Sequence, residues 1–446
     1  MQPADNRGRA TGAEDGHMDE RDADEVNYFT DRSLMDDPYP YFDHLRAACP
    51  VRREPHHGVF MVTGHEEVAA ILADPATFSS CNALSGPFPG FPVPLEGDDV
   101  SELIEAHRGQ LPMHGELTTM DPPTHTAHRA LVARLFTPRS LSATEPFMRR
   151  LAHRLIDGFA GRGSCELISD FSGPYALLSI CALLGVPESD HQAFVEEMLN
   201  PDRGILGGNT RAAMPADPFG FLHGRFKAYI EERLAEPRDD VMTTLATTPF
   251  PDGSTPDIMA AVRLASVLFI AGIDTTAGLI ATAFQVLGHH GDLQALLRDD
   301  PARIPGFIEE TLRLDGSVKG TFRLSRTSKE VGGVEIPAGS TTMLLVSAAN
   351  RDPRKFENPA EFRIDRPSVR QHLAFGRGIH VCVGAALARA ETRVAIEALL
   401  ARLGPITIPQ PAPGPAGPRR SRYVPTYITR NLRRIDLEFD PNETGT

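Results

Sequence analysis

The feature that most constrains the fold is a glycine-rich loop followed by a helix near the C-terminal end of the chain. Residues 375–384 read FGRGIHVCVG, and their three glycines let the backbone turn sharply and approach a flat ligand closely. Residues 385–403 are strong helix formers with apolar residues at helical spacing. The free amides and positive dipole end of such a helix favour a thiolate. We therefore expect Cys382 to be presented as a thiolate that suits a metal ion.

Three other roles of a cysteine are compared with this one for Cys382. A disulfide needs a partner, a zinc site of the usual kind needs a C-x-x-C pair that this chain lacks, and a buried inert thiol is the commonest role. The whole pattern F-G-x-G-x-H-x-C-x-G is far more specific than one cysteine. It resembles the haem-binding loop of the cytochrome P450 family. The resemblance implies that Cys382 is the axial ligand of haem b, iron protoporphyrin IX, and that Phe375, Gly376, His380 and Gly384 bind the cofactor.

Composition is typical of an ordinary globular chain. Of the 446 residues, 41% are hydrophobic and 23% are charged, and the net charge of -14 argues against binding to nucleic acid or anionic lipid. Five cysteines at unpatterned spacings favour a reducing cytoplasm. We find no signal peptide and no apolar run near eighteen residues, so we expect no membrane span and a soluble bacterial member of the family.

The resemblance implies one large domain, mostly α with a small β region. We expect residues 1–26 to be a disordered acidic tail and residues 27–446 to form the haem domain. Local patterns predict helices at residues 38–50 and 65–78 and a strand pair within residues 51–63.

A second chemical pattern lies in residues 256–287, which predict one long apolar helix. Its centre reads AGIDTT, and Thr275 can bond back to the carbonyl of Ala271, four residues earlier. The pattern resembles the oxygen-binding groove of the family. This implies that Ala271 and Gly272 line the cofactor, that Thr275 hydrogen-bonds dioxygen and that Asp274 relays protons. The simpler role of Asp274 is a capped or ion-paired core acid.

Basic side chains are predicted to bind the haem propionates. His125 and Arg129 lie four residues apart after the D-P-P motif that starts a helix, so they share one face. A solvated basic face is the simpler reading. The resemblance assigns both to the propionates, together with Arg323 and His380.

Glu310 and Arg313 form an E-x-x-R pair on one predicted helix face. Such a pair is weak by itself, because helices carry many on solvated faces. The resemblance adds Arg366 and implies a buried structural network that holds the chain before the cysteine loop.

The substrate pocket is less sharply predicted. Residues 81–109 are irregular and carry Phe88 and Phe91 among prolines, which favours a pocket wall over a surface linker. The resemblance adds Val318, Gly320, Thr321 and, in the C-terminal hairpin, Ile428. It also makes residues 200–218 a mobile lid. The family usually has proline where Ser317 stands, so the local geometry there is open.

These patterns predict a haem-thiolate monooxygenase that inserts one oxygen atom from O2 into a hydrophobic small molecule. Terpenoid, steroid, fatty and aromatic substrates all fit. The resemblance implies electrons from NAD(P)H through a ferredoxin and its reductase. A peroxide-driven peroxygenase and a noncatalytic haem sensor are the alternatives, although a sensor leaves the Asp274 and Thr275 pair without a role.

Overall fold

The computed structural model of the protein describes residues 25–199, 219–409 and 422–441. The predicted lid at residues 200–218 lies outside these ranges, and so does the predicted acidic tail up to residue 24. The predicted fold class, mostly α with a small β region, is confirmed.

Helices make up most of the described chain, as the runs of helix formers predict. In chain order they are α1 Ser33–Asp36, α2 Tyr39–Ala48, α3 His65–Leu72, α4 Ser101–His107, α5 Thr124–Ala133, α6 Pro138–Asp157, α7 Gly173–Leu184, α8 His191–Met198, α9 Gly220–Ala235, α10 Val241–Thr247, α11 Ile258–His289, α12 Gly291–Asp299, α13 Ile304–Asp315, α14 Val346–Ala349 and α15 Ala385–Arg402. Several begin with proline in the first turn, where its missing N–H has no helical partner to lose.

The strands are short and form three small sheets. They are β1 Val51–Arg53, β2 Phe60–Val62, β3 Phe78–Ser79, β4 Ser164–Glu166, β5 Thr321–Ser325, β6 Lys329–Val331, β7 Val334–Ile336, β8 Thr341–Leu344, β9 Leu403–Thr407 and β10 Asp436–Pro441. The largest sheet has the order β1-β2-β8-β5-β3, in which only β2 and β8 are parallel. The others are β4-β10-β9 and the hairpin β6-β7. Arg323 lies in β5, the first strand after α13.

The long helix α11 runs through the main core, packed against α7, α9 and α15. Its 32 residues span about 48 Å. By length and composition it could cross a membrane, contrary to our expectation for the sequence, yet 72% of its most apolar window is buried inside the protein. This burial is the behaviour of a core helix.

The helix α15 starts at the cysteine loop and packs against α6, α11 and α13. These contacts join the two predicted chemical patterns, because α11 carries residues 271–276 and α15 follows Cys382. All five cysteines of the chain are free thiols.

Candidate active site

The cysteine loop is held in a tight turn. The N–H of Cys382 donates to the carbonyl of Phe375 at 2.8 Å, which closes the loop. Gly378 has a φ of +71°, and a Cβ there would lie 2.3 Å from the carbonyl oxygen of Leu72 at the end of α3. A side chain at this position would therefore strain the backbone and push the loop away from α3.

The thiol of Cys382 is surrounded by protein but remains open to solvent. Burial raises the pKa of Cys382, while the backbone amides of Gly384 and Ala385 and the charges of Arg129 and Arg389 lower it. The amides at the helix start favour the thiolate, as the sequence predicts, but in the polypeptide alone burial outweighs them. A bound metal cation reverses this balance, since a coordinating thiol is deprotonated.

The centre of α11 has the predicted local geometry. Thr275 Oγ1 donates to the carbonyl of Ala271 at 2.8 Å, and Asp274 lies on the exposed side of the helix. Asp274 is therefore not a buried core acid. A Cβ at Gly272 would lie 3.4 Å from the side chain of Ile180 in α7, an ordinary packing distance.

Ser317 supplies a contact that the sequence did not predict. Its hydroxyl donates to the carbonyl of Thr275 at 2.9 Å, so the chain after α13 is tied to the centre of α11. The only sequence signal was the departure from the proline usual in the family, and a proline has no hydroxyl to make this bond.

Two of the predicted propionate ligands, His125 and His380, lie side by side. The rings of His125 and His380 have centroids 4.1 Å apart, and neither ring nitrogen of His125 nor Nε2 of His380 has a hydrogen-bond partner within the described residues. Burial lowers the pKa of His125 to about 4 and that of His380 to about 3, with Arg129 and Arg323 among the charges that add to the shift.

Arg323 is also buried, and burial lowers its pKa to about 10. Its guanidinium donates to the carbonyl of Phe322 at 2.6 Å, and no carboxylate in the described part of the chain pairs with it. Buried polar atoms without partners are costly. Two carboxylates of a ligand placed here would accept hydrogen bonds from these groups, so the cluster fits the propionates of haem.

Arg129 has a different contact. Its Nη2 donates to the carbonyl of Val381 at 2.7 Å, directly before Cys382. The structure therefore places Arg129 against the cysteine loop, while its binding to a propionate stays a prediction.

Glu310, Arg313 and Arg366 contact one another in the interior. Arg313 donates to both carboxylate oxygens of Glu310 at 2.8 Å, and Nε of Arg366 donates to the same group at 3.0 Å. The remaining donors of the two arginines reach backbone carbonyls of residues 350–361. The network therefore anchors the segment between α14 and the cysteine loop.

The segment with Val318, Gly320 and Thr321 contacts two other parts of the chain. Val318 pairs with Thr429, and the N–H groups of Lys319 and Gly320 donate to the carbonyl of Ile428, so this segment and the C-terminal segment lie side by side. Thr321 Oγ1 donates to the carbonyl of Ala83, at the start of the irregular segment.

The two phenylalanines do not share one wall. The ring of Phe88 packs against Phe29, His57 and Tyr427, whereas Phe91 lies against His107 of α4. Phe88 is thus on the side of Ile428, and Phe91 is on the side of α4.

Known proteins are similar to this chain in sequence and in fold. The family model described as Cytochrome P450 matches residues 222–416. Cytochrome P450 144 of Mycobacterium tuberculosis is 31% identical over 428 residues, which cover 93% of this chain and 92% of the relative.

Two solved structures extend the likeness. The substrate-free Mycobacterium marinum cytochrome P450 CYP150A6 is 48% identical and has a TM-score of 0.86, covering 94% of this chain and 100% of that chain. P450BioI, solved in complex with hexadec-9Z-enoic acid ligated acyl carrier protein, is 29% identical and has a TM-score of 0.73, covering 92% and 100%.

Proposed function

This chain belongs to the cytochrome P450 family, and from that premise we propose its cofactor form, site residues, electron supply and substrate class. It is a haem-thiolate monooxygenase that uses O2, a redox partner and a small-molecule substrate. The cofactor is haem b, with Cys382 as its axial ligand. A ferredoxin and its reductase supply electrons from NAD(P)H, the substrate is a hydrophobic small molecule, and the enzyme is cytoplasmic.

The observation that carries this proposal is the group of buried donors beside Cys382. His125, His380 and Arg323 are buried or half-buried, and three of their ring nitrogens have no partner in the described chain. A flat ligand with an iron centre and two carboxylates satisfies both the thiol and these donors.

Bound haem supplies the oxygen chemistry and the one-electron steps. The chain supplies positioning and protons. Asp274 is exposed, so its carboxyl group exchanges protons with solvent. Thr275 Oγ1 donates to the carbonyl of Ala271, which leaves the lone pairs of the Thr275 oxygen to accept a hydrogen bond from a protonated group in the site and so to hold that group in place.

A hydrophobic substrate is supported by the apolar character of two predicted pocket residues. Ile428 is buried, Phe88 is half-buried, and both belong to one apolar cluster that reaches β5. The fatty acyl group in the P450BioI complex supports the fatty class among the terpenoid, steroid, fatty and aromatic compounds.

The test is turnover by the purified haem-loaded protein with a ferredoxin, a ferredoxin reductase and NAD(P)H. Hexadec-9Z-enoic acid, a steroid, a monoterpene and a polycyclic aromatic are the probes. At least one probe should shift the ferric spin state and yield a product that has gained one oxygen atom. Product that forms only with hydrogen peroxide, without the electron-transfer proteins, would contradict the proposed electron supply.

A further inference from the structure

A charged cluster joins α13 and α15 to the cysteine loop. Nε and Nη2 of Arg389 in α15 donate to the two carboxylate oxygens of Glu309 in α13, at 2.5 and 2.9 Å. Glu309 is 4% exposed, so this carboxylate depends on protein donors. We call Glu309, His372, Arg389 and Phe375 the Glu309 cluster. The two-point pairing fixes the plane of the guanidinium group.

His372 completes the contacts of Glu309. Its Nε2 lies 3.1 Å from a carboxylate oxygen of Glu309, and its Nδ1 accepts the backbone N–H of Ala374 at 3.2 Å. A backbone N–H only donates, so Nδ1 carries no proton and Nε2 donates to Glu309. Although burial raises it, the hydrogen bonds from Arg389 and His372 lower the pKa of Glu309 to about 2.

Arg389 reaches the loop through an aromatic ring. Its guanidinium carbon lies 4.5 Å from the centroid of the Phe375 ring, and the carbonyl of Phe375 accepts the N–H of Cys382. The contact is a cation–π interaction. Arg389 also acts electrostatically on Cys382, since its charge favours the thiolate.

We propose that the Glu309 cluster holds the charge of Arg389 over Phe375 and thereby sets the reduction potential of the haem iron bound at Cys382. The inference rests on the proposed ligand role of Cys382. A positive charge near the site favours the state with one more electron, and a negative charge disfavours it. Charge and hydrogen bonding around the axial ligand are known levers on haem potential. Glu309 and Arg389 are therefore positioning residues with opposite effects.

The test is a spectroelectrochemical titration of the haem-loaded protein. At the midpoint potential of the unmodified protein, Arg389→Gln should lower the ferrous-to-ferric ratio by roughly threefold or more, because it leaves the Glu309 carboxylate uncompensated. Glu309→Gln should raise the ratio by a similar factor. The double variant should return close to the unmodified value, since both charges are gone.

Arg393→Gln is the matched control. Arg393 lies one turn further along α15 and pairs with Glu145 and Glu397 instead of the loop. We expect it to leave the ratio unchanged. If the ferrous-to-ferric ratio shifts with the same sign in Arg389→Gln and Glu309→Gln, or shifts in neither, the inference is overturned. A shift of the same sign would show that both substitutions only loosen the cysteine loop, since loosening changes the ratio in one direction whichever charge is removed.

Arg389→Lys covers the case in which Glu309→Gln does not hold haem. The Arg389 side chain is 39% exposed, so substitution there spares the core. Lysine keeps the charge, so the ratio should stay nearer the unmodified value than in Arg389→Gln; equal shifts in the two variants overturn the inference. The carbon monoxide spectrum separates the two proposals. If the variants show a thiolate spectrum and the same reduction potential as the unmodified protein, only the role of the Glu309 cluster is rejected. If the unmodified protein lacks a thiolate spectrum, the ligand role of Cys382 is rejected.

Discussion

At the residue scale, Asp274 and Thr275 are adjacent in sequence but differ in surroundings. Thr275 Oγ1 is fixed by its bond to Ala271, while Asp274 lies on the exposed side of α11. A fixed hydroxyl beside a carboxyl group that meets solvent suits proton delivery.

Thr275→Ala should therefore uncouple the reaction. We expect the product formed per NAD(P)H consumed to fall by roughly 10²-fold, an effect typical of a positioned proton-transfer group, while hydrogen peroxide release rises. The measurement is the ratio of product to NAD(P)H in the reconstituted system. Thr282→Val on the same helix is the control, since Thr282 is buried in the core. Full coupling in Thr275→Ala would exclude the role assigned to this hydroxyl.

The paired histidines predict a pH dependence of the haem-free protein. The unfolded chain takes up protons on histidine below about pH 6.5. The folded chain resists this until the pH nears the values of about 4 for His125 and about 3 for His380. Because the unfolded state binds more protons in this window, the free energy of unfolding falls as the pH is lowered.

Urea unfolding of the haem-free protein between pH 7 and pH 4 measures this dependence. In His125→Gln the free energy of unfolding should fall less steeply over the same range, because one of the two histidines that resist protonation in the folded state is removed. Identical slopes for the two proteins would show that His125 is not held neutral by burial.

At the element scale, the sequence predicted most of the site-bearing elements. Periodicity and helix formers located α11 and α15, and the alternating run at residues 51–63 located β1 and β2. The predicted helix at residues 65–78 ends at Leu72, and Phe78 enters β3 instead. Pairing of Phe78 with Ser325 is a long-range contact, which local propensity does not encode.

Partnerships between distant side chains were less predictable. The E-x-x-R spacing indicated the pair of Glu310 and Arg313, and only the family resemblance added Arg366. The roles of Glu309, His372 and Arg389 follow from three segments meeting in space. Nothing in local spacing predicts that the hydroxyl of Ser317 reaches Thr275.

Glu310→Ala tests the buried network. It leaves two buried guanidinium groups without their carboxylate, which should cost about 3 to 5 kcal/mol of unfolding free energy. We expect aggregated protein or protein without haem, measured by haem content and denaturant unfolding. Asp300→Ala is the matched control, because Asp300 pairs with Arg303 at the same spacing on the surface and should cost about 0 to 1 kcal/mol. Normal haem content in Glu310→Ala would refute the structural role.

Gly378→Ala tests the turn of the cysteine loop. Its positive φ and the nearby carbonyl of Leu72 leave no room for a Cβ, so we expect a loss of about 1 to 3 kcal/mol and lower haem occupancy. Gly224→Ala in α9 is the control. It meets no atom within 4 Å and lies in a helix, so it should stabilise the protein by about 0.4 to 1 kcal/mol. Thermal melts of the two variants should therefore move in opposite directions.

At the scale of the whole molecule, the fold brings distant parts of the chain to one place. Contacts link segments that are far apart in the sequence. These segments are the start of α5, the centre of α11, strand β5 and the loop before α15. The family pattern predicted this meeting, and the ring nitrogens of His125 and His380 that are unpaired among the described residues support the proposal that the two haem carboxylates bind there.

The surface also bears on electron supply. The chain carries a net charge of -14, yet Arg134 and Arg139, close after Arg129, are exposed. We proposed a ferredoxin as the donor, and such local basic groups on an acidic protein suit an acidic partner by steering its approach.

The absorption spectrum of the dithionite-reduced protein under carbon monoxide tests the central claim most directly. Thiolate ligation by Cys382 predicts a strongly red-shifted Soret band, and Cys382→Ser should lose that band. A band typical of histidine ligation in the unmodified protein, or protein that binds no haem, would contradict the claim.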